Sequence, residues 1–385
     1  MKFTAADLFC GAGGLSKGFE MAGFEILFGI DSWSSAMESF QRNISGAKAI
    51  LADITKIEDN FFEEYKGKVD VLMAGPPCQG FSVIGKRDIT DPRNSLFEEV
   101  IRVAKIIEPK VVIIENVVGL LSMKAPNGKL VKNMILERLR DIGYYTESRI
   151  LSASDYGVPQ NRKRVIFIGS KIGKIGYPSP VAEKVTVRDA LSNIPDVGAE
   201  FYLPPENNFQ KFMSGKTNKI YNHENYNHSE IVIKRMSYVK PGGNWRDIPK
   251  ELYNVGGEHS NNYRRLDPDK PSITIKHVTK SMIIHPWYNR CLTVREAARL
   301  QSFPDDFIFY GTRFDQHQQI ANAVPPLLGY HLARHIMHKL GLEETENKKL
   351  KQPTLDSLFE ISDKKKEHLL NEKKFTFIDL FSGIG

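Results

Sequence analysis

Over its first 170 residues the chain alternates short apolar runs with amphipathic stretches, and nothing else in the sequence limits the fold as strongly. The apolar runs at 5–9, 26–30, 69–74, 111–114, 146–151 and 165–169 read as strands. Between them, Leu96, Val100, Val103 and Ile107 recur at the spacing of one helix face. Strands alternating with helices imply an α/β protein built on a doubly wound, mostly parallel sheet. Ligands of such sheets bind beyond the carboxyl ends of the strands, so residues just past each run are the first candidates for function.

The alternation stops after Ile175, where Gly, Pro and Asn become frequent. One short helix is expected there, over 187–194, with Thr186 as its N-cap and Asp189 three residues on. The rest, from about 183 to 285, reads as a smaller, irregular, β-rich domain. Charge concentrates in it. Residues 201–290 hold 14 Lys/Arg against 8 Asp/Glu, a net +6 within a chain of net +7. A polyanion such as nucleic acid fits that excess better than a merely solvated surface. Regular signals return at Thr293-Val294-Arg295-Glu296, a capping box opening a helix to Gln301. A last helix is expected over 326–340, with Pro326 in its first turn.

Two further features bound the class. No apolar run approaches the roughly 18 residues that span a bilayer, and Met1-Lys2-Phe3-Thr4 enters a strand without a signal-peptide pattern. The three cysteines, Cys10, Cys78 and Cys291, are too few for a disulfide framework or a zinc cage. The reading is a cytoplasmic protein with no membrane contact. His331, His335 and His338 share a helix face, but no acid or cysteine joins them, so no metal is expected.

The chemistry gathers at the strand ends. Gly75-Pro76-Pro77-Cys78-Gln79-Gly80-Phe81-Ser82 follows an apolar strand. The prolines stiffen the turn, and a thiol presented there is placed like a nucleophile. Alone, the octapeptide favours a buried cysteine in a proline turn, and its companions elsewhere in the chain reverse that. Asp7-Leu8-Phe9-Cys10-Gly11-Ala12-Gly13-Gly14 follows the first strand and opens a helix, a turn that lets backbone N–H groups approach a ligand. Asp31 and Asp53 lie past the next two apolar stretches; each could bind a nucleoside or simply cap a loop. Glu115-Asn116-Val117 ends the strand at 111–114, where a carboxyl shielded from water can hold or donate a proton. Arg162 and Arg164 alternate onto one face ahead of the strand at 165–169 and suit a bidentate grip on a carboxylate, phosphate or base carbonyl.

Taken together, and in this order over residues 3 to about 340, these segments resemble the cytosine-5 DNA methyltransferases, the bacterial restriction-modification enzymes in particular. Arg295-Glu296-Ala297-Ala298-Arg299-Leu300-Gln301-Ser302-Phe303-Pro304-Asp305 and Gln319-Ile320-Ala321-Asn322-Ala323-Val324-Pro325-Pro326 complete the resemblance. It implies a Rossmann-like, S-adenosylmethionine-dependent catalytic domain over 1–182, a target-recognition domain over 183–290 and a return to the catalytic domain over 291–342. Phe9 would stack on the adenine of S-adenosylmethionine, with Gly11 and Gly13 along its methionine end. Asp31 would take the ribose hydroxyls and Asp53 the adenine amino group. Ile54, Pro76, Asn322 and Val324 complete the implied cofactor set, and S-adenosylhomocysteine would be the product. Cys78 would attack carbon 6 of a flipped cytosine. Glu115 would hold ring nitrogen 3, and Arg164, with Arg162 behind it, would grip the base. Gln79 and Ser82 would touch double-stranded DNA; Arg264, Arg265, Thr274 and Lys276 are expected phosphate contacts within the basic segment.

One departure concerns the ribose acid, which is Asp31 rather than the commoner Glu, with the following aromatic displaced to Trp33. Two alternatives stand beside the main reading. One is methylation of tRNA cytosine, though the Cys-Phe-Thr stretch of that branch is absent; the other is a non-catalytic DNA-binding regulator on the same fold. A cognate restriction endonuclease would share the DNA site without direct contact, and a monomer is expected. Residues 343–374, with eight acidic and eight basic side chains, read as a charged linker. Residues 375–385 then repeat residues 3–13 at seven of eleven positions, which reads as the start of a second methyltransferase unit fused downstream.

Overall fold

Uninterrupted apolar strands require cover on both faces, and the fold provides it. The computed structural model describes residues 2–77, 96–181, 183–253 and 262–341. Its sheet is built from β1 (Thr4–Leu8), β2 (Glu25–Asp31), β3 (Lys48–Leu51), β4 (Val71–Ala74), β5 (Val111–Val117), β6 (Tyr145–Ser152) and β7 (Lys163–Ser170). The order across the sheet is β3-β2-β1-β4-β5-β7-β6. All neighbours are parallel except β7, which runs antiparallel to both β5 and β6. The short apolar stretch ahead of Asp53 forms β3, an edge strand with Lys48 and Leu51 exposed at its ends.

Helices α1 (Gly14–Ala22), α2 (Ser34–Asn43), α3 (Asp59–Glu63), α4 (Leu96–Ile107) and α5 (Val131–Asp141) connect the strands. Beyond the sheet come α6 (Val187–Leu191), α7 (Asn208–Met213), α8 (Glu230–Tyr238), α9 (Val278–Ser281), α10 (Val294–Leu300), α11 (Arg313–Asn322) and α12 (Pro326–Lys339). The capping boxes read at Thr186 and Thr293 both form. Phe62, Val100, Val103, Ile135 and Leu139 build the core on one face of the sheet. On the other face Phe19 and Leu328 share one core with Val187, Met236, Ile275 and Phe303. The segment after residue 183 thus packs its apolar side chains into the core that covers the sheet.

That segment is irregular, as expected, but the expectation of a β-rich domain is not met among the described residues. Short helices and isolated bridges, Phe201 with Lys219 and Ile284 with both Arg265 and Cys291, take the place of ladders. Side chains supply the missing backbone partners. Arg265 donates to the carbonyls of Val239, His285 and Tyr288, which lie outside any ladder, and to that of Met236 in the last turn of α8.

Helix α12 returns the chain to the sheet through backbone contact with α1. A Cβ on Gly14 would lie 2.3 Å from Val324 O, and one on Gly18 would lie 2.3 Å from Pro326 O. Glycine at both positions lets the helices meet, and the contact brings the turn at 322–325 against the loop after β1.

Candidate active site

The reversed strand is what assembles the acid–arginine pair. Because β7 runs antiparallel to β5, its first residues lie beside the carboxyl end of β5, with Arg164 opposite Val117 and Val165 opposite Asn116. Arg164 Nε sits 2.7 Å from Glu115 Oε1, both side chains largely shielded. The N–H does not point along that line, so the contact is ionic rather than an aligned hydrogen bond. Glu115 Oε1 therefore keeps its acceptor capacity.

Beside this pair lies the end of β4. Asn116 Nδ2 donates to Pro76 O at 3.0 Å, while its Oδ1 accepts from Val117 N at 2.9 Å. The asparagine thus fixes the Pro76-Pro77 turn against β5. A Cβ on Gly75 would come within 3.7 Å of Glu115 Oε2. Glycine at this point keeps the approach to the carboxyl open. Cys78, Gln79 and Ser82 lie outside the described residues. The role of Asn116 escaped the sequence reading, and its only signal is its place between Glu115 and Val117.

Arg162 behaves differently from Arg164. It is buried, Nη2 donates to Ala321 O at 2.8 Å and Nη1 reaches Ile275 O at 3.5 Å. Burial, with Arg164 beside it, pulls its guanidinium well below the usual arginine range. The expected grip on a base behind Arg164 is replaced by a hold on two backbone carbonyls; Nε is its one nitrogen without a partner.

The opposite part of the same sheet edge carries the other candidates. Phe9 and Gly11 adopt left-handed backbone, with φ of 57° and 53°. Gly11 N donates to Asp31 Oδ2 and Trp33 N to Asp31 Oδ1, both at 2.9 Å. These amides bind the loop after β1 to the end of β2, and each carboxylate oxygen retains a lone pair for a hydroxyl. Burial raises the Asp31 pKa. Asp53 is exposed and caps a turn through Thr55 N and Thr55 Oγ1, both on its Oδ1, which hold it below the usual carboxylate range. Ile54 and Pro76 are buried beside these loops, Asn322 is exposed at the end of α11, and Val324 presses on Gly14. A left-handed turn, the Asp31 carboxylate, the exposed Asp53 and the turn packed on Gly14 thus line the carboxyl ends of β1, β2 and β3.

Beneath this loop Asp7, to which the sequence reading gave no role, accepts from Ser16 Oγ at 2.6 Å in full burial. Burial, against the Ser16 bonds and with Asp31 adding, pushes its carboxyl up to about 7. Cys10 is buried too, and burial with Asp7 and Asp31 nearby pushes its thiol well above the ordinary value, which suits packing rather than nucleophilic chemistry.

The four expected phosphate contacts separate. Lys276 is exposed. Arg264 joins Lys184, Lys270 and Asp267 around a cavity of about 330 Å³ that also meets Asn161 and Ser272. Thr274 Oγ1 donates to Asn161 O at 2.7 Å, so its one hydroxyl proton is committed. Arg265 is overturned as a phosphate contact. It is buried, and all its donors go to Met236 O, Val239 O, His285 O, Tyr288 O and Asn289 Oδ1.

Comparison with known proteins adds four results. The family model described as C-5 cytosine-specific DNA methylase matches residues 3–338. The Type II methyltransferase M1.HphI of Haemophilus parahaemolyticus is 40% identical over 344 residues, covering 88% of this chain and 87% of that protein. M.DdeI of Desulfomicrobium norvegicum is 38% identical, covering 86% and 87%. Among solved structures, an Escherichia coli prophage protein assigned as a DNA modification methyltransferase superposes with a TM-score of 0.73 at 26% identity, covering 88% of this chain and 99% of that one.

Proposed function

The chain belongs to the C-5 cytosine-specific DNA methylase family, and on that premise we propose how its residues perform the reaction. It is a DNA (cytosine-5-)-methyltransferase, and the DNA reading is supported over the tRNA and non-catalytic alternatives. Its relatives' names support a place in a Type II restriction-modification system, protecting a specific duplex sequence from a cognate endonuclease.

The observation that carries the site assignment is the convergence of Glu115, Arg164 and the Asn116-anchored Pro76 at one sheet edge. Carbon 5 of cytosine is too weak a nucleophile to accept a methyl group directly. In this reading the Cys78 thiolate adds to carbon 6 while Glu115 delivers a proton to ring nitrogen 3, and the electron pair moves to carbon 5. S-adenosylmethionine, when bound, supplies an electrophilic methyl group. Loss of the carbon 5 proton to a solvent base, with return of the nitrogen 3 proton to the Glu115 carboxylate, then lets the thiolate leave. Arg164 orients Glu115 and meets the base carbonyl. The base must leave the duplex stack, at a cost of a few kcal/mol, because both carbons are inaccessible within it.

Phe9, Gly11, Gly13, Asp31, Asp53, Ile54, Pro76, Asn322 and Val324 form the cofactor site in this account, and Gln79, Ser82, Arg264 and Lys276 contact DNA. Domain boundaries at 182 and 290, and the reading of 375–385 as the start of a second methyltransferase unit, belong to the same proposal; residues beyond 341 lie outside those described.

A duplex with 5-fluorocytosine at the methylated position tests the mechanism, since fluorine cannot leave as a proton does. The protein should become covalently trapped and the Cys78→Ala variant should not. Trapping that persists without Cys78 would contradict the assignment. Glu115→Gln should bind cofactor normally but slow transfer by about 10²-fold or more, the scale of a lost general acid.

A further inference from the structure

Ile275 lies between Thr274 and Lys276, and both of its backbone polar groups end on buried side chains of the sheet edge. Its N–H donates to Gln160 Oε1 at 3.0 Å, and its carbonyl accepts from Arg162 Nη1 at 3.5 Å. The same two anchors reach the turn that carries Asn322. Arg162 Nη2 donates to Ala321 O at 2.8 Å. Gln160 Nε2 donates to Gln301 Oε1, and Gln301 Nε2 donates onward to Ala323 O at 2.7 Å. The carbonyls on both sides of Asn322 are therefore tied to Ile275, Ala321 O directly by Arg162 and Ala323 O by Gln301 through Gln160.

Gln160 and Gln301 show no exposed surface and Arg162 is 1% exposed. Bulk water cannot replace a bond lost inside such a network, so a polar group left unpaired there carries its full desolvation cost. A shift at residue 275 must either carry residues 321–323 with it or break buried bonds.

From this bridge we infer that Gln160 and Gln301 are positioning residues that couple the two ligands. Duplex DNA settling on 274–276 and cofactor settling against Asn322 strengthen each other through it. The inference rests on the proposed reading of those two segments as DNA-facing and cofactor-facing. Linkage makes the effect reciprocal, so either ligand can report it. A merely structural role would lower stability and weaken each ligand on its own, leaving the mutual effect untouched.

The test uses the full chain and S-adenosylhomocysteine as the probe. Its affinity is measured alone and with a duplex containing the cytosine that bisulfite sequencing finds methylated in expressing cells. The duplex should tighten probe binding within the range of about 5–150-fold typical of coupled sites. Gln301→Met and Gln160→Met keep side-chain length and remove the amide. Each should lower the ratio by at least about twofold while the Arg162 link remains, and the double variant should add nothing, because both lie on one path. A wild-type ratio of one, or variants that keep the wild-type ratio, would overturn the coupling. Hydrogen exchange of the unaltered protein provides a second reading that needs no variant. Duplex alone should slow exchange at 319–324, and unchanged exchange there would overturn the inference. A chain that methylates no cytosine in those cells would overturn the methyltransferase reading first, and the coupling with it.

Discussion

A guanidinium carries five donors, and at Arg265 all of them are spent on carbonyls and Asn289 inside the protein, while Arg264 beside it lines an open cavity. Charge counting cannot separate these neighbours, because their fates depend on which distant carbonyls surround them. Replacing Arg265 by Met should lower the melting temperature and leave the salt dependence of DNA binding unchanged. Lys276→Met should do the reverse, sparing stability and reducing the slope of log affinity against log salt by about one. Melting curves and anisotropy titrations at several salt concentrations distinguish the two. Asp7 gives a second residue-scale test. Its folded pKa of about 7 lies above the ordinary 3.8, so the folded protein holds a proton that the unfolded chain releases. Its contribution to stability is therefore full below about pH 4 and falls as pH rises toward about 7, by at most roughly 1.4 kcal/mol per pH unit. Asp7→Asn lacks this loss. The unfolding free energy of the wild type minus that of the variant should decline across the window and level off above it. A flat difference in urea denaturation from pH 4.5 to pH 8 would contradict the buried-acid account.

Elements were legible where their signals are local. The helix face at Leu96, Val100, Val103 and Ile107, and the capping boxes at Thr186 and Thr293, each need only a few residues to declare themselves, and all three form. The reversal of β7 was not legible, because strand direction depends on how a connection crosses the sheet rather than on the apolar run. Yet that reversal sets Arg164 beside Glu115. The segment 295–305 offered a specific motif without its physics. Arg299 donates from Nε to Asp305 Oδ1 at 2.8 Å and from Nη2 to Oδ2, with both side chains fully buried. Arg290 holds Glu296 with two bonds of 2.9 and 2.8 Å, and with His285 helps to hold that carboxyl down at about 2 against its burial. These charges brace the turn after α10. Arg299→Met should strand the Asp305 carboxylate in the core and cost about 3–5 kcal/mol in denaturant unfolding, the usual scale for a broken buried pair.

At the scale of the whole molecule, the sheet edge gathers every described catalytic candidate, and the basic segment folds onto the core of the same sheet rather than apart from it. This bears on how specificity could be moved. Grafting 183–290 into a relative should transfer the methylated site only if the recipient keeps an acid at the position of Glu296, since Arg290 binds it across that boundary. A hybrid that keeps the recipient's site would place readout elsewhere. The central claim is methyl transfer to carbon 5 of cytosine in DNA, and one measurement addresses it most directly. The purified protein is given isotope-labelled S-adenosylmethionine with genomic duplex DNA, and separately with tRNA, and the digested nucleosides are resolved by mass spectrometry. The account predicts labelled 5-methyldeoxycytidine from the DNA and no label in the tRNA. Label in 5-methylcytidine of tRNA, in another DNA base, or in no nucleoside at all would contradict it.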